Sequence, residues 1–206
     1  MSSRGCFISL EGGEGVGKST QLRALAGALR NRGLNVLETR EPGGSEGAES
    51  IRRLLLEERD WPIEAEALLF AAARADHVEK AIRPALERGE WVLSDRFVDS
   101  SLAYQGGAGR LGIEKVRELH RFATGGFYPD RTLVLALPQG KARAEFRDGH
   151  SGDRIGGRSD DFHQEVVIAF EVIAAEEPER VKLVDASGSE SDVTQRLLRA
   201  IADLLP

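Results

Sequence analysis

The sequence predicts an α/β protein whose parallel sheet carries helices on both of its faces. Short apolar runs alternate along the chain with segments in which apolar residues recur every three or four positions. The runs are apolar at successive positions rather than at alternate ones, which is typical of parallel strands buried on both sides. No repeat, low-complexity tract or linker interrupts the 206 residues. We therefore expect one three-layer domain over residues 1–206.

The strands are assigned from the apolar runs and from the turn residues that follow them. Residues 6–10 run directly into glycines, so they predict a buried strand. Residues 36–37 predict a second short strand, because the turn-rich loop REPGGSEG follows closely. The remaining strands are expected at residues 91–95, 132–137 and 181–184.

The helices are assigned from apolar residues at helical spacing. The first helix covers residues 22–29, and Gly33 stands where a C-cap glycine is preferred. Helical stretches are expected over residues 51–56 and 65–86, the second bent or broken near Pro84 because proline removes a helical hydrogen bond. The last helices are expected over residues 162–173 and 193–205.

Composition and charge narrow the functional classes. Hydrophobic residues make up 41% and charged residues 30% of the chain, the profile of a soluble globular protein. The net charge of −6, without any basic run, argues against non-specific nucleic-acid binding. The lone cysteine, Cys6, excludes an intrachain disulfide, and no apolar run reaches membrane length. Because the amino terminus also lacks a signal-peptide core, we expect a cytoplasmic protein without a membrane partner.

The stretch EGGEGVGKST, between the first strand and the first helix, matches G-x-x-x-x-G-K-[ST] over residues 12–19, the pattern of a P-loop. Glycines let successive backbone N–H groups converge on phosphate oxygens, and the helix that follows points its positive end at them. The alternative is an ordinary glycine-rich turn with a capping serine. The full pattern in this context favours a nucleoside triphosphate site. Its expected residues are Gly12, Gly13, Glu14, Gly15, Val16, Gly17, Lys18, Ser19 and Thr20.

Four side chains around this loop predict phosphoryl transfer. Lys18 is suited to reach the β and γ phosphates, and the Ser19 hydroxyl is suited to bind Mg²⁺. Asp95 and Arg96 follow one another at the carboxyl end of the third strand. Asp95 is placed to hold Mg²⁺ through water, and Arg96 brings a cation with bidentate geometry to an acceptor phosphate. A surface Asp-Arg pair at a strand end is the alternative.

Beyond these motifs, the chain resembles the bacterial thymidylate kinase family along most of its length. The matching stretches include TREPGGSEGAESIRRLLL, EALLFAAARADHV, SSLAYQGGAGRLG and GDRIGGRSDDFHQEV. The resemblance implies a P-loop NTPase fold with a five-stranded parallel sheet and a homodimer. It also implies transfer of the γ-phosphoryl group of ATP to dTMP with Mg²⁺, giving dTDP and ADP. The alternatives are a kinase for another nucleoside monophosphate or for a deoxynucleoside, and a nucleotide-dependent switch that acts by binding partners.

The resemblance also implies roles around the acceptor nucleotide. Glu14 would turn away from the triphosphate and bond the deoxyribose 3′-OH, while Arg40 and Arg52 would gather around dTMP. Phe70 and Arg74, four apart on one helix face, would stack on thymine and hydrogen-bond to it. Taken alone, Phe70 is more typical of a core residue and Arg52 of a solvated helix face.

Further acceptor positions follow the third strand. By the resemblance, Ser101 contacts the base edge, and Arg96 belongs to the dTMP-binding set as well as to the catalytic one. Tyr104 and Gln105 belong to the segment that closes over the sugar, where an aromatic ring would crowd a ribose 2′-OH. Taken alone, Ser101 or Tyr104 would be read as helix surface.

The segment ARAEFRDGHSGDRIGGR resembles the lid of the bacterial class of this family, and we place the lid at roughly residues 143–158. Some members carry a basic residue in the P-loop directly after its acid, but here that position is Gly15. A cation near the departing phosphoryl group therefore has to come from elsewhere, and the resemblance implies that the lid supplies it. Its candidates are Arg143, Arg147, Arg154 and Arg158. The alternative is that the lid arginines are solvated surface charges, which we expect of at least one of them. Arg147 and Arg154 are the expected catalytic residues.

Two departures from the family pattern concern the donor side. Ala136 stands in the fourth strand where members often carry an aspartate. Gly156 and Gly157 follow the Asp-Arg of the lid, where a glutamate is usual. Both departures concern the contacts of the lid and the binding of the adenine base of ATP, and leave the expected reaction unchanged.

Overall fold

Parallel strands form one five-stranded sheet in the computed structural model, which describes residues 4–56, 60–137 and 155–206. The strands are β1 (Phe7–Gly12), β2 (Val36–Arg40), β3 (Trp91–Asp95), β4 (Arg131–Ala136) and β5 (Val181–Asp185). Their order across the sheet is β2-β3-β1-β4-β5, and all neighbouring pairs are parallel. The predicted fold class and the five-stranded parallel sheet are confirmed.

Helices pack against both faces of this sheet. The α-helices are α1 (Lys18–Arg30), α2 (Glu46–Leu56), α3 (Ile63–His77), α4 (Arg83–Glu87), α5 (Val98–Ser101), α6 (Ile113–Thr124), α7 (Asp160–Glu176) and α8 (Glu190–Ala200). Two π-helical segments, Val78–Ile82 and Leu102–Ala108, continue α3 and α5. No helix bounds were predicted between residues 98 and 124, although Ser101 and Tyr104 had helix surface as their alternative interpretation. Among the described helices, none is both long enough and apolar enough to cross a lipid bilayer.

The long helix predicted over residues 65–86 is not broken at Pro84, but its hydrogen-bond pattern changes just before that residue. The π-helical segment Val78–Ile82 lies between α3 and α4, and the N–H of Arg83 donates to the carbonyl oxygen of Val78. Proline has no N–H to donate, and its ring crowds the carbonyl group four residues earlier, here that of Lys80. The wider turn accommodates that crowding without ending the helical path.

Alternate residues of β1 face two different layers, because side chains alternate across a strand. Ile8 and Leu10 belong to an apolar core shared with α1 and α8. On the opposite face, Phe7 belongs to the core shared with α3 to α7, whereas Ser9 and Glu11 bring polar groups to that side. All of these side chains are fully buried. The polar face of β1 is therefore the one that continues into the functional site.

The centre of the sheet is a topological switch point. β1 has β3 on one side and β4 on the other, and in open α/β sheets such an arrangement forms a crevice outside the carboxyl ends of the strands. The strand register pairs Asp95 with Leu10 and with Arg40. The glycine loop after β1, the end of β3 and the end of β2 therefore lie side by side.

Candidate active site

Residues 12–19 form a tight loop between the carboxyl end of β1 and the amino end of α1. Gly12, Gly15 and Gly17 have φ angles of 130°, 70° and 92°, a backbone region that residues with a Cβ rarely adopt. Gly17 caps α1 without a side-chain hydrogen bond, so Ser19 is not the capping residue of the alternative interpretation. The loop presents backbone N–H groups at the positive end of a helix, an arrangement that binds phosphate.

Lys18, the first residue of α1, folds back over the loop. Its Nζ donates hydrogen bonds to the carbonyl oxygens of Gly12, at 3.2 Å, and Gly13, at 2.6 Å. The pKa of Lys18 is lowered to about 8, mainly by burial and secondly by repulsion from Arg96, because both disfavour the charged form. An anionic phosphate in the loop would act in the opposite direction and favour the ammonium.

An oxygen pair stands at the amino end of α1. Ser19 Oγ donates a 2.5 Å hydrogen bond to Oδ2 of Asp95, the last residue of β3. A hydroxyl and a carboxylate oxygen are ligands of the kind that Mg²⁺ takes. The structure thus brings together the two residues that the sequence assigned to metal binding.

Arg96 adopts a left-handed backbone conformation, with a φ of 72°, that is uncommon in residues other than glycine. Its N–H donates to Leu10 O at 2.9 Å, and Ser94 Oγ donates to Arg96 O at 2.7 Å. In the next residue, the N–H of Phe97 donates to the Glu11 carboxylate at 2.6 Å. Hydrogen bonds on both sides of Arg96 therefore hold this turn and fix where its side chain begins.

The Arg96 guanidinium lies between the P-loop and the acceptor side. It donates to Gly12 O at 3.3 Å, Ser100 Oγ at 2.9 Å and Tyr104 Oη at 3.2 Å, and it forms an ion pair with Glu14. The Tyr104 hydroxyl in turn donates to Glu14 at 3.2 Å. Burial alone would raise the pKa of Glu14, but Arg96, Lys18 and the Tyr104 hydrogen bond together outweigh it and hold that pKa below the ordinary value. Glu14 is therefore an ionised carboxylate facing Arg96 and Tyr104.

One cleft at the carboxyl edge of the sheet collects the residues that the resemblance assigned to dTMP. Its lining includes Glu14, Arg40, Arg52, Phe70, Arg74, Arg96, Ser101, Tyr104 and Gln105. Ser19 and Asp95 line the same cleft. Every residue expected at dTMP therefore shares one space with the two expected metal ligands.

One end of the cleft is formed by α3 and by residues from α5 and the π-helical segment after it. Phe70 is partly buried: it packs against the core and also lines the cleft, and its stacking on a base stays a prediction. Arg74, one helical turn further on, donates from Nη2 to Ser101 Oγ at 2.9 Å. Gln105 donates from Nε2 to the buried carboxylate of Glu66 at 2.8 Å. This end of the cleft therefore combines an aromatic ring, that of Phe70, with the hydrogen-bonding groups of Arg74, Ser101 and Gln105.

Two further arginines line the cleft near the end of β2. Arg40 forms an ion pair with Glu49 at 2.9 Å, and its side chain is 54% exposed. Arg52, on α2, donates to the carbonyl oxygen of Pro42 at 2.7 Å. Together with Arg96 they make this part of the cleft cationic. Guanidinium groups recognise phosphate through charge and paired N–H donors.

The structure adds residues that the sequence analysis did not single out. The cleft is also lined by Glu41, Pro42, Leu56, Phe97, Ser100 and Ile155. Glu41 and Pro42 lie inside TREPGG, so their place in that stretch was an available signal. Leu56 and Ile155 are ordinary apolar residues in the sequence, and no pattern distinguishes them.

Most of the predicted lid falls outside the described residues, including Arg143, Arg147 and Arg154. Arg158 is described: its Nη2 donates to Oε2 of Glu66 at 2.6 Å, and its guanidinium lies 4.6 Å from the centre of the Phe162 ring. Arg158 is thus bound to the acceptor side of the cleft through α3. Ala136 is the last residue of β4, and its carbonyl oxygen accepts from Ala186 N at 2.9 Å.

Comparison with known proteins finds relatives along nearly the whole chain. The family model described as thymidylate kinase matches residues 10–197. The thymidylate kinase of Rhizorhabdus wittichii is 59% identical over 208 aligned residues, which cover 98% of this chain and 99% of its own. Those of Rhodopseudomonas palustris (strain TIE-1) and Symbiobacterium thermophilum are 49% and 48% identical, covering 97% of this chain and 90% and 94% of theirs. The chain therefore belongs to the thymidylate kinase family, a family of phosphotransferases.

Proposed function

We propose that this protein transfers the γ-phosphoryl group of ATP to dTMP, giving dTDP and ADP. The observation that carries the proposal is the cleft that Glu14 of the P-loop shares with Asp95, Phe70 and Arg74. A phosphate-binding loop and a site suited to a nucleobase meet there, as direct transfer between two nucleotides requires. Membership of the thymidylate kinase family supports the same reaction.

On the donor side, the N–H groups of residues 12–19 and the Lys18 ammonium bind the phosphates of ATP. In the free protein Lys18 donates to the Gly12 and Gly13 carbonyl groups, so its charge already lies inside the loop. Phosphate oxygens replace these acceptors and stabilise the ammonium. Lys18 then neutralises charge that moves with the transferred group.

Ser19 and Asp95 would hold Mg²⁺, Asp95 through water. Their adjacent oxygens, 2.5 Å apart, are the kind of ligands this ion requires. When bound, Mg²⁺ supplies charge neutralisation at the β and γ phosphates.

On the acceptor side, positioning and charge supply the catalysis. The 5′-phosphate of dTMP is already an anion, so no general base has to activate it. Arg96 orients this phosphate, with Arg40 and Arg52 around it. Glu14, held ionised by Arg96, accepts a hydrogen bond from the 3′-OH, and the neighbouring Tyr104 ring leaves little room for a 2′-OH.

At the base end of the cleft, Phe70 stacks on thymine and Arg74 donates a hydrogen bond to it. Ser101 contacts the base edge and Gln105 lies beside the sugar. The support for these roles is that all of these side chains line the same cleft.

Three further proposals rest on the family and the sequence. A lid arginine, Arg147 or Arg154, supplies the cation at the departing phosphoryl group, because Gly15 offers none. The protein works as a homodimer. It acts in the cytoplasm on small-molecule substrates rather than on nucleic acid or membrane.

A coupled assay that follows ADP release tests the function. Wild-type protein is given MgATP with dTMP, with each other nucleoside monophosphate, with thymidine, or with no acceptor. We expect the highest kcat/KM with dTMP and only background release without an acceptor. Faster turnover of another acceptor would reassign the substrate, and ADP release that ignores the acceptor would favour a switch protein instead.

A further inference from the structure

Glu41 is a buried carboxylate that directly follows β2 and lines the cleft. Its backbone N–H donates to Asp95 O at 2.9 Å, which fixes it to the end of β3. Burying an ionised carboxylate is unfavourable unless the group is paired and hydrogen-bonded. The partners of Glu41 therefore indicate why a charge is kept there.

Both carboxylate oxygens of Glu41 have partners on α3. Oε2 accepts from Arg74 Nε at 2.7 Å, and Oε1 lies 3.1 Å from His77 Nδ1. On the other side of the imidazole, Nε2 lies 2.7 Å from Thr39 Oγ1, so a hydroxyl donating there leaves the ring proton on Nδ1, facing Glu41. A Cβ at Gly44 would overlap both His77 and Thr39, so the loop backbone closes tightly over this contact. The side chains of Glu41, Arg74 and His77 are each at most 4% exposed.

The charge on Glu41 persists in this setting. Burial raises the pKa of Glu41, but Arg74 and the imidazole of His77 outweigh it and hold that pKa below its ordinary value. The carboxylate therefore accepts a charge-assisted hydrogen bond from Arg74, which is stronger and more directional than a neutral one.

These contacts decide which N–H groups of Arg74 face a ligand. Nε donates to Glu41, and Nη2 donates to Ser101 Oγ at 2.9 Å and to Phe97 O at 3.3 Å. They occupy three of the five N–H groups of a guanidinium. Among the described residues, none accepts a hydrogen bond from Nη1, although Arg74 lines the cleft. Nη1 is thus the edge of Arg74 that is left for a bound base.

We infer that Glu41 is a positioning residue for base selectivity, acting through Arg74; this rests on the proposed function. By holding Nε, Glu41 keeps Nη1 turned into the cleft as a donor. A guanidinium has no acceptor, so this edge satisfies an oxo group, as thymine carries, and leaves the amino group of cytosine unpaired. Without Glu41 the guanidinium can rotate, and this discrimination weakens.

A purely structural role for the pair leads to a different outcome. Buried ion pairs often add little net stability, although removing one partner leaves the other charge unpaired. If Glu41 only supported the fold, its loss would lower the turnover of every acceptor by the same factor. A positioning role instead affects dTMP more than dCMP.

The test measures dTMP and dCMP turnover in full-length Glu41→Gln and Glu41→Asp. We expect kcat/KM for dTMP to fall about tenfold or more, mainly through KM, as for loss of a hydrogen bond to a charged group. The dTMP-to-dCMP ratio falls with it, while KM for ATP stays within about twofold. Glu38→Gln is the matched control, since this carboxylate lies on β2, three residues before Glu41, and pairs with Arg30 nearer the surface. It should keep the wild-type ratio.

A double variant separates positioning from misfolding. In an Arg74→Gln background, adding Glu41→Gln should leave the ratio unchanged if Glu41 acts through Arg74. The double variant carries no unpaired charge from this pair, so it remains informative if Glu41→Gln alone fails to fold. A wild-type ratio in folded Glu41→Asp, or a further fall in the double variant, would overturn the inference. If wild-type protein did not phosphorylate dTMP, the proposed function would fail instead, and calorimetric binding of dTMP and dCMP would still test Glu41.

Discussion

The donor loop and the acceptor pocket meet in one cleft but are built in opposite ways. The donor loop is a single run of residues, 12–19, whose backbone N–H groups are aimed by glycine φ angles. The acceptor pocket takes side chains from β2, α2, α3, α5 and the π-helical segment that follows. Ion pairs such as Arg74–Glu41 hold these side chains in place. Binding of the donor's phosphates thus needs one local stretch, whereas recognition of the acceptor nucleotide needs groups that only the tertiary structure assembles.

The largest expected effect is on the donor loop, where one substitution should abolish transfer but leave the acceptor pocket intact. Lys18→Ala should lower kcat by about 10³ or more, because an ammonium that stabilises the moving phosphoryl group is lost. Among the described residues, Nζ donates only to Gly12 and Gly13, so the fold should survive. Steady-state kinetics, thermal melting and dTMP calorimetry check this, with dTMP affinity unchanged. Near-normal turnover by a folded Lys18→Ala protein would remove the P-loop assignment.

The next effect concerns the cation that the donor loop lacks. One of the two variants Arg147→Ala and Arg154→Ala should lower kcat at least about a hundredfold, with much smaller changes in dTMP binding. Arg53→Ala is a control, since this arginine on α2 contacts Ser50 at an exposed position. Rapid-quench measurement of the transfer step reads the effect directly.

The lid mechanism would be wrong for this protein if no single arginine mattered. Alanine at each of Arg143, Arg147, Arg154 and Arg158 would then leave turnover within a few-fold of wild type. The donor loop would in that case need another source of positive charge.

A moderate effect is expected inside the acceptor pocket. Phe70→Ala should weaken dTMP binding by about 1–3 kcal/mol, the range seen when an aromatic ring that stacks on a base is removed. MgATP affinity should barely change, because Phe70 lies on α3 and is not part of the donor loop. Calorimetry on the folded fraction provides the measurement. An unfolded variant whose folded fraction binds dTMP normally would make Phe70 a core residue only.

The smallest effect is a difference in pH dependence between the two regions. Burial and Arg96 lower the pKa of Lys18 to about 8 in the free protein, and the charged form is the one that binds phosphate. ATP affinity should be complete below that pH and fall as the pH rises through it, by up to about tenfold one unit higher. Affinity for dTMP should change less, because no lysine is among the residues expected to bind it. Titrations between pH 7 and about pH 9 test this, and parallel declines for both nucleotides would contradict it.

The strands and the donor loop were predictable because contiguous residues encode them. Buried parallel strands leave continuous apolar runs, and the P-loop leaves a fixed spacing of glycines. The strand ends were less predictable. β1 continues through Glu11 to Gly12 and β2 through Thr39 to Arg40, since backbone pairing extends where the apolar run has already stopped.

The helical structure between residues 98 and 124 was missed for a different reason. α5 is four residues long, and its continuation contains Gly106 and Gly107, which are poor helix formers. A Cβ on Gly107 would come within 2.7 Å of the Ala169 side chain of α7. Close packing against another helix therefore decides the conformation there, and no local pattern carries that information.

The supporting carboxylates of the acceptor pocket were also beyond the sequence. Glu11, Glu41 and Glu66 are nearly or fully buried, whereas acidic residues are normally exposed. Each accepts hydrogen bonds from residues far along the chain, which stabilise the buried carboxyl group. Glu41, for example, accepts from Arg74, and Glu66 accepts from Gln105. The residues named from the resemblance are those expected to touch nucleotide, and the groups that hold them in place appear only when the chain is folded.

The tight closure of Gly44 over His77 and Thr39 has a consequence for inhibitor resistance. Any side chain at position 44 would overlap both neighbours, and its φ of 84° already favours glycine. A single substitution there cannot reshape the wall behind Arg74 without disturbing the enzyme's own substrate site. Phe70 is only partly enclosed by the core, but its loss would also weaken dTMP binding. Resistance that arises at either position should therefore cost the enzyme part of its own activity.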